Sequence, residues 1–414
     1  MRKSACVSGV VIAWIYTAAH FVMSGVKQPL GNFYGDFLGT FPSWRLSVLL
    51  GRLDLYRGSL AEFWALKFGP HPLWHYGPVQ HLVTLPLFAF SNLRSAYIAW
   101  LVVNYAFLAG ILALAFRVFD SGRPRWVWRS VAAIAILNYG PLYEALTQRT
   151  IEIFELLLIF VAFAMVRRRR ETAAGVAIGL AAMTKFLPLI FLPYFVVKRR
   201  FRALTSSLIV ITMIAIATEA VFGWRYSGIV VQLRQGGLIE SQLDQSLAGM
   251  IRRLLAWTNS SLSPAMVSRV AIVIALLGLC WLFFRTRNSA TIEDLEWSTL
   301  LVAMVLLPPH NEQYYFVFLL FPYLALLARE LRPGAPAHHA RRWWLAISFI
   351  LTGTVVPLSL LSRLTGTNVF PRYLALGIPF IGAAILAAIG VHAMLSEGAS
   401  SDIGDAIPGT PRAL

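Results

Sequence analysis

Residues 7 to 26, VSGVVIAWIYTAAHFVMSGV, run for twenty positions without a charge. An α-helix needs about that many residues to cross roughly 30 Å of hydrocarbon at 1.5 Å per residue. Similar runs recur through a chain that is 58% hydrophobic and only 13% charged. The chain therefore reads as all-α, a polytopic integral membrane protein. Arg2 and Lys3 ahead of the first run also fit a secretory signal peptide with TAAH as its cleavage site. The many later spans favour a retained signal anchor.

The formal net charge is +17, from 36 Lys and Arg against 19 Asp and Glu. A nucleic-acid binder would gather that excess on one soluble face. Here it is split among short stretches between apolar runs: RPRWVWR (123 to 129), RRRR (167 to 170), KRRFR (198 to 202), RTR (285 to 287) and HHARR (338 to 342). Under the positive-inside rule these are cytoplasmic loops, and no nucleic-acid partner is expected. Cys6 and Cys280, the only cysteines, lie near or within predicted spans, so a disulfide framework or a cysteine metal site has no support.

With those loops inside, parity gives about twelve spans in residues 1–396. The first runs outward near 7 to 26, and the return span 96 to 116 makes loop 27–94 extracytoplasmic. Spans near 130 to 143 and 151 to 166 go out and back. The stretch 172 to 197 must then leave and return with arms of only about twelve residues, roughly 18 Å of helix each. Its tip, TKFLP, is expected below the outer lipid surface. A span near 203 to 222 leads to a second extracytoplasmic loop, 223–262. Spans near 264 to 284, 297 to 308, 314 to 328, 343 to 361 and 371 to 392 follow, and residues 397–414 read as a disordered cytoplasmic tail. Inside the first loop, 42 to 52 and 59 to 69 read as amphipathic surface helices. The Pro-broken segment 76 to 90 reads as a juxtamembrane helix. The chain is placed in the cell (inner or plasma) membrane.

On this topology the polar outliers gather on the side opposite the basic loops. Asp36 stands in GNFYGDFLGT after the first span, and His71, His75 and Tyr76 close the same loop. Glu144, Gln148, Arg149 and Glu152 lie between the third and fourth spans, Lys185 caps the short hairpin, and His310 and Glu312 occupy a later outer turn. Ionisable groups next to hydrocarbon are costly and mark cavities or partners. Each also has a plain structural reading: Asp36 as a helix cap, Lys185 as a snorkelling cation, His310 as a loop histidine. His71 and His75 are spaced as a metal pair, but Pro72 breaks helical geometry and no third ligand is evident, so no metal is expected. One acid with Lys, His and Arg suits a reaction in which a hydroxyl attacks and a phosphate leaves. The acid would serve as general base, and the cations would stabilise the departing charge.

The stretches GDF, LYRG (55 to 58), HYGPVQHLVTLPLF (75 to 88), TQRTIEIFELLL to RRRR, GLAAMTKFLPLIFLPYFVVKRR (179 to 200) and PPHNEQYYF (308 to 316) resemble the GT-C glycosyltransferases over roughly residues 5 to 330. Within them the chain is similar to the polyprenol-phosphate-sugar-dependent branch that includes actinobacterial mannosyl- and arabinofuranosyltransferases of cell-envelope glycolipids. The resemblance implies a many-helix fold with the catalytic carboxylate, Asp36, in the first extracytoplasmic loop. Asp36 would activate an acceptor hydroxyl for inverting displacement at the anomeric carbon as polyprenyl phosphate departs. Lys185, His310 and Arg149 would face the donor phosphate, with His75, Tyr76, Gln148 and Glu312 binding substrate. The implied partners are a polyprenyl-phosphate-sugar donor, mannose or arabinofuranose, a lipid or glycan acceptor and membrane lipids, without a cofactor. The chain departs from the common pattern with YGP (76 to 78) for Tyr-Pro-Pro and with TQRTIE (147 to 152) for a Gly-Gln-Asn-like stretch.

A second reading is a transporter or flippase for an anionic lipid-linked substrate, binding it at mid-depth through Lys185 and Arg149. A large outer loop with no matching polar set inside favours the enzyme. A membrane scaffold would leave the clustered charges unexplained.

Overall fold

The computed structural model describes residues 2–31, 78–90, 93–119, 122–222, 244–287, 289, 291–308, 310–333, 339–353 and 358–404. Among these residues all regular structure is helical. Five helical segments are long and apolar enough to cross a membrane: Gly9–Gly31, Arg94–Val118, Phe201–Thr218, Pro264–Arg285 and Ile378–Glu397. The other helices are shorter, among them Arg125–Leu137 with 13 residues, Glu152–Arg167 with 16 and Glu293–Leu306 with 14. The expected dozen spans therefore meet five helices of spanning length. The expected surface helices at 42 to 52 and 59 to 69 lie outside the described residues. The chain forms two compact units.

The first unit comprises Met1–Val118, Arg129–Leu192 and Arg200–Ile239. Its opening helix Arg2–His20 widens into a π-turn at Phe21–Lys27 and ends as Gln28–Gly31. Pro29 has no N–H to give to the carbonyl four residues back. That carbonyl, on Gly25, is taken by the Tyr105 hydroxyl instead. The segment 76 to 90 forms two short pieces, Pro78–Thr84 and a 3₁₀ turn Leu85–Ala89. Helix Leu93–Val118 packs on Glu152–Arg167, which packs on Glu171–Lys185, which packs in turn on Phe201–Phe222. Glycines allow the last approach. A Cβ on Gly179 would stand 2.9 Å from the Val210 Cβ, and one on Gly175 would meet the Ala203 carbonyl. The Ser207 hydroxyl donates to the Gly175 carbonyl at 2.9 Å.

The second unit comprises Phe119–Trp128, Pro193–Arg199 and Glu240–Leu414. Its centre is Glu293–Leu306, every residue of which is buried. This helix packs against Ile378–Gly404 and Leu320–Glu330, and His339–Gly353 packs on the former. The charges at its start are paired. Glu296 accepts from Lys198 (2.9 Å), Tyr194 (3.0 Å) and Thr286 (2.6 Å). Arg329 donates to both oxygens of Asp294, at 2.8 and 2.5 Å, and to Glu397. The last helix runs on past Ser396 to Gly404.

Candidate active site

Asp36, His75 and Tyr76 lie outside the described residues. The remaining candidates fall in two groups, one in each unit, and each group is built around a buried acid.

In the first unit the chain breaks twice beside a candidate. Helix Gly140–Gln148 stops at Arg149, whose φ of 54° is left-handed, a conformation that costs a residue with a Cβ about 1–2 kcal/mol. Helix Glu171–Lys185 stops at Phe186 with φ 59°. Non-glycine residues persist there only where surrounding contacts hold them, and such strain clusters at functional sites. At Arg149 the contacts are specific. Its guanidinium carbon sits 3.0 Å from the Tyr97 ring centroid, Nη1 donates to the Thr147 carbonyl at 2.9 Å, and Nη2 donates to the Pro29 carbonyl. Trp100 Nε1 donates to the Arg149 carbonyl at 3.0 Å, and the Tyr97 hydroxyl reaches the Pro29 carbonyl at 2.7 Å. Burial brings the Arg149 guanidinium down to about 9, so it stays cationic at neutral pH. Gln148 donates to Glu144 at 3.0 Å.

Lys185, the last residue of its helix, pairs with Glu152, the first residue of the preceding helix in the packing order. Glu155 stands one turn along from Glu152 and is fully buried, and among the described residues neither of its carboxylate oxygens has a hydrogen-bond partner. Reading the sequence alone passes over Glu155. The available signal is an acid inside IEIFELLLIF, three positions after another acid, where an apolar helix has no use for either.

In the second unit the turn His310–Asn311–Glu312 meets the segment that begins at Asp244. Asp244, fully buried, accepts from the backbone N–H of Ser246 (2.9 Å) and of Asn311 (3.0 Å) and pairs with Arg252. Its backbone carbonyl accepts from Arg253 Nη1 at 2.7 Å. His310 lies 3.9 Å from Asp244 through Nδ1 and 3.5 Å from Glu312 through Nε2. Gln245 extends the tie: its N–H donates to the Asn311 carbonyl at 2.6 Å and its side chain to the Leu374 carbonyl at 2.9 Å. Ser246 caps helix Leu247–Trp257 by accepting from Gly249 N–H at 3.0 Å, which sends Arg252 and Arg253 back over Asp244. Burial pulls the Arg253 guanidinium below its usual range, with Asp244 opposing the shift and Arg252 adding to it. Asp244, Arg252 and Arg253 are further residues that sequence reasoning passes over, because DQSLAGMIRR sits in a polar loop where charges are ordinary.

The structure thus joins Lys185 to Glu152 and joins His310 to Asp244 and Glu312. Among the described residues no group of three or more His, Cys, Asp or Glu side chains is arranged to hold a metal. Each unit offers cations held by buried acids in an apolar setting, the equipment for binding an anionic group at a membrane. A family model described as glycosyltransferase family 87 matches residues 74–309, more than half of the chain. Gln148, Arg149 and Lys185 fall inside the match, while Asp36, His310 and Glu312 fall outside it. No curated protein matches the chain.

Proposed function

The chain belongs to glycosyltransferase family 87, and on that premise we propose that it moves a sugar, mannose or arabinofuranose, from a polyprenyl phosphate to a lipid or glycan acceptor on the extracytoplasmic face of the cell membrane. The observation that carries the reading is the family match laid over an apolar, all-helical chain whose buried acids hold Lys185, Arg252 and His310. A lipid-linked leaving group explains why such charges are built into a membrane protein. The shorter helices complete about twelve crossings with the five long ones, on the positive-inside count.

In the reaction, the acceptor hydroxyl oxygen attacks the anomeric carbon while the carbon–oxygen bond to the phosphate breaks. The electron pair leaves with polyprenyl phosphate, and the hydroxyl proton passes to Asp36. Attack opposite the leaving group inverts the anomeric configuration. Lys185, Arg149 and His310 are the candidate cations for the donor phosphate, each to be tested alone. His75, Tyr76, Gln148 and Glu312 are the candidates for contact with sugar or acceptor.

The test uses purified protein in lipid, a panel of radiolabelled polyprenyl-phosphate sugars and a membrane-lipid acceptor extract. Transfer from one donor that disappears in Asp36→Asn, with donor binding kept, supports the reading and names the sugar. Unchanged turnover in that variant removes Asp36 from the reaction. Absence of transfer from every donor by a folded sample overturns the proposed donor class.

A further inference from the structure

Buried hydrogen-bond donors without acceptors are rare, and each calls for a physical explanation. Helix Leu247–Trp257 carries a set of them. Arg253 spends Nη1 on the Asp244 carbonyl, and its Nε and Nη2 are buried with no hydrogen-bond partner among the described residues. Those two nitrogens form one edge of the guanidinium fork, the edge that grips two oxygens of a phosphate or carboxylate side by side. Arg252 Nη1 beside it is likewise buried without a hydrogen-bond partner among the described residues, and His310 Nδ1 has only the Asp244 carboxylate, 3.9 Å away.

What faces the Arg253 edge is Gly377, the left-handed link (φ 65°) between helices Val369–Ala375 and Ile378–Gly404. A Cβ added there would stand 2.9 Å from the Met250 Sδ, 3.2 Å from Arg253 Nη2 and 3.8 Å from its Nε. A side chain at position 377 would therefore press on the guanidinium edge, and the left-handed φ independently favours glycine. The same helix turns apolar side chains outward: Leu254 is 44% and Trp257 56% exposed. An amphipathic helix with exposed Trp and Leu beside paired arginines is the pattern of a segment at the lipid interface, where phosphates lie.

We infer that the Arg253 fork over Gly377, flanked by Arg252 and His310, is a binding site for the phosphate group of a lipid. Asp244 offsets one of the positive charges and fixes the two arginines, so the site takes one anionic group. The shared chemistry comes from either of two sources, the phosphate of a polyprenyl chain or the headgroup of a bulk anionic phospholipid. The inference deepens the reading above by giving a lipid phosphate a named site, and it is tested by binding rather than by transfer.

The experiment measures retention of three probes by the purified full chain in native mass spectrometry: polyprenyl phosphate, unphosphorylated polyprenol and phosphatidylglycerol. Wild type should hold polyprenyl phosphate over polyprenol by on the order of tenfold, the value of a charge-assisted bidentate contact. Arg253→Gln and Gly377→Ala should each remove that preference, while Arg269→Gln, on an exposed position of the next helix, keeps it. Arg253→Lys, which retains charge without the fork, should fall between and decides the matter where Arg253→Gln does not fold. Loss confined to phosphatidylglycerol supports the site and names the headgroup as its source. Undiminished retention of both phosphate lipids in folded Arg253 variants overturns the inference. Sugar transfer with unaffected phosphate binding in those variants defeats only this site. Phosphate binding lost in them without sugar transfer by wild type defeats the proposed reaction and leaves the site standing.

Discussion

Lys185 and Glu152 form an ion pair with side chains only 3% and 0% exposed, joining the end of one helix to the start of another. Removing one partner of such a pair leaves an uncompensated buried charge, which costs about 3–5 kcal/mol. Lys185→Met and Glu152→Gln should each lower the thermal midpoint in detergent. The double variant Glu152→Met/Lys185→Met should recover much of the loss, since an apolar pair of similar volume carries no desolvation cost. If the double variant loses the sum of the two, the pair is not the coupling unit.

The contact between Glu171–Lys185 and Phe201–Phe222 rests on Gly175 and Gly179, spaced as the small residues of close membrane helix pairs. Gly175→Ala would press a methyl group onto the Ala203 carbonyl and the Ser206 hydroxyl. Main chain cannot rotate away as a side chain can, so overpacking here should cost about 1–3 kcal/mol. Gly278→Ala, with nothing within 4 Å of the added carbon, is the control. Unfolding of the two variants in the same detergent should separate them, and equal midpoints would show that the helices have room to part.

The long apolar helices are legible in the sequence because hydrocarbon length alone defines them. Phe201–Phe222 and Pro264–Arg285 fall within two residues of the spans expected near 203 to 222 and 264 to 284. The interrupted ones are less so. Arg149 and Phe186 stop their helices in left-handed conformations that neither residue favours by itself, and at Arg149 contacts with Pro29, Tyr97 and Trp100, distant in sequence, decide the matter. Lys185, Arg149 and His310 stand out as charges near apolar runs, but their partners Glu152, Pro29 and Asp244 are set by tertiary packing. Asp244 is the clearest case. In sequence it is one acid in a polar loop, and only the meeting of that loop with Asn311 makes it a buried hub.

Arg149 holds the first helix through the Pro29 carbonyl and lies on the face of Tyr97. Arg149→Lys keeps the charge but loses the planar fork and the stacking. It should therefore destabilise by about 1–3 kcal/mol, the range for a hydrogen bond to a charged group with its desolvation. Tyr97→Phe keeps the ring and loses only the 2.7 Å hydroxyl bond to Pro29, at about 1 kcal/mol. Chemical unfolding of the two variants should preserve that order, and the reverse order would make the hydroxyl, not the cation, the clasp.

Arg329 places its fork on Asp294 and adds Glu397 from the last helix. Arg329→Lys should fail to span both, because an ammonium is a point donor. Limited proteolysis reads the consequence: cleavage near residue 397 should speed up in Arg329→Lys while sites inside Glu293–Leu306 stay protected. Uniform protection in the variant would show that apolar contacts of Ala393 and Met394, both fully buried, hold the helix without the ion pair.

Asp244 serves two main-chain N–H groups and one guanidinium at once, one of those N–H groups belonging to Asn311 in the turn that carries His310. In Asp244→Asn a single oxygen still accepts from Ser246 and Asn311, but the new NH₂ group faces Arg252, leaving two arginines close together without a counter-charge. Destabilisation of about 2–4 kcal/mol follows from the lost charge-assisted bonds and the unpaired cations. Removing one of the repelling groups should relieve it, so Asp244→Asn/Arg252→Gln is expected to be more stable than Asp244→Asn alone. In a transfer assay the single variant should raise KM for the donor more than it lowers kcat, since the anchor of His310 is loosened while Asp36 is untouched. A fall in kcat at constant KM would instead tie Asp244 to the chemical step.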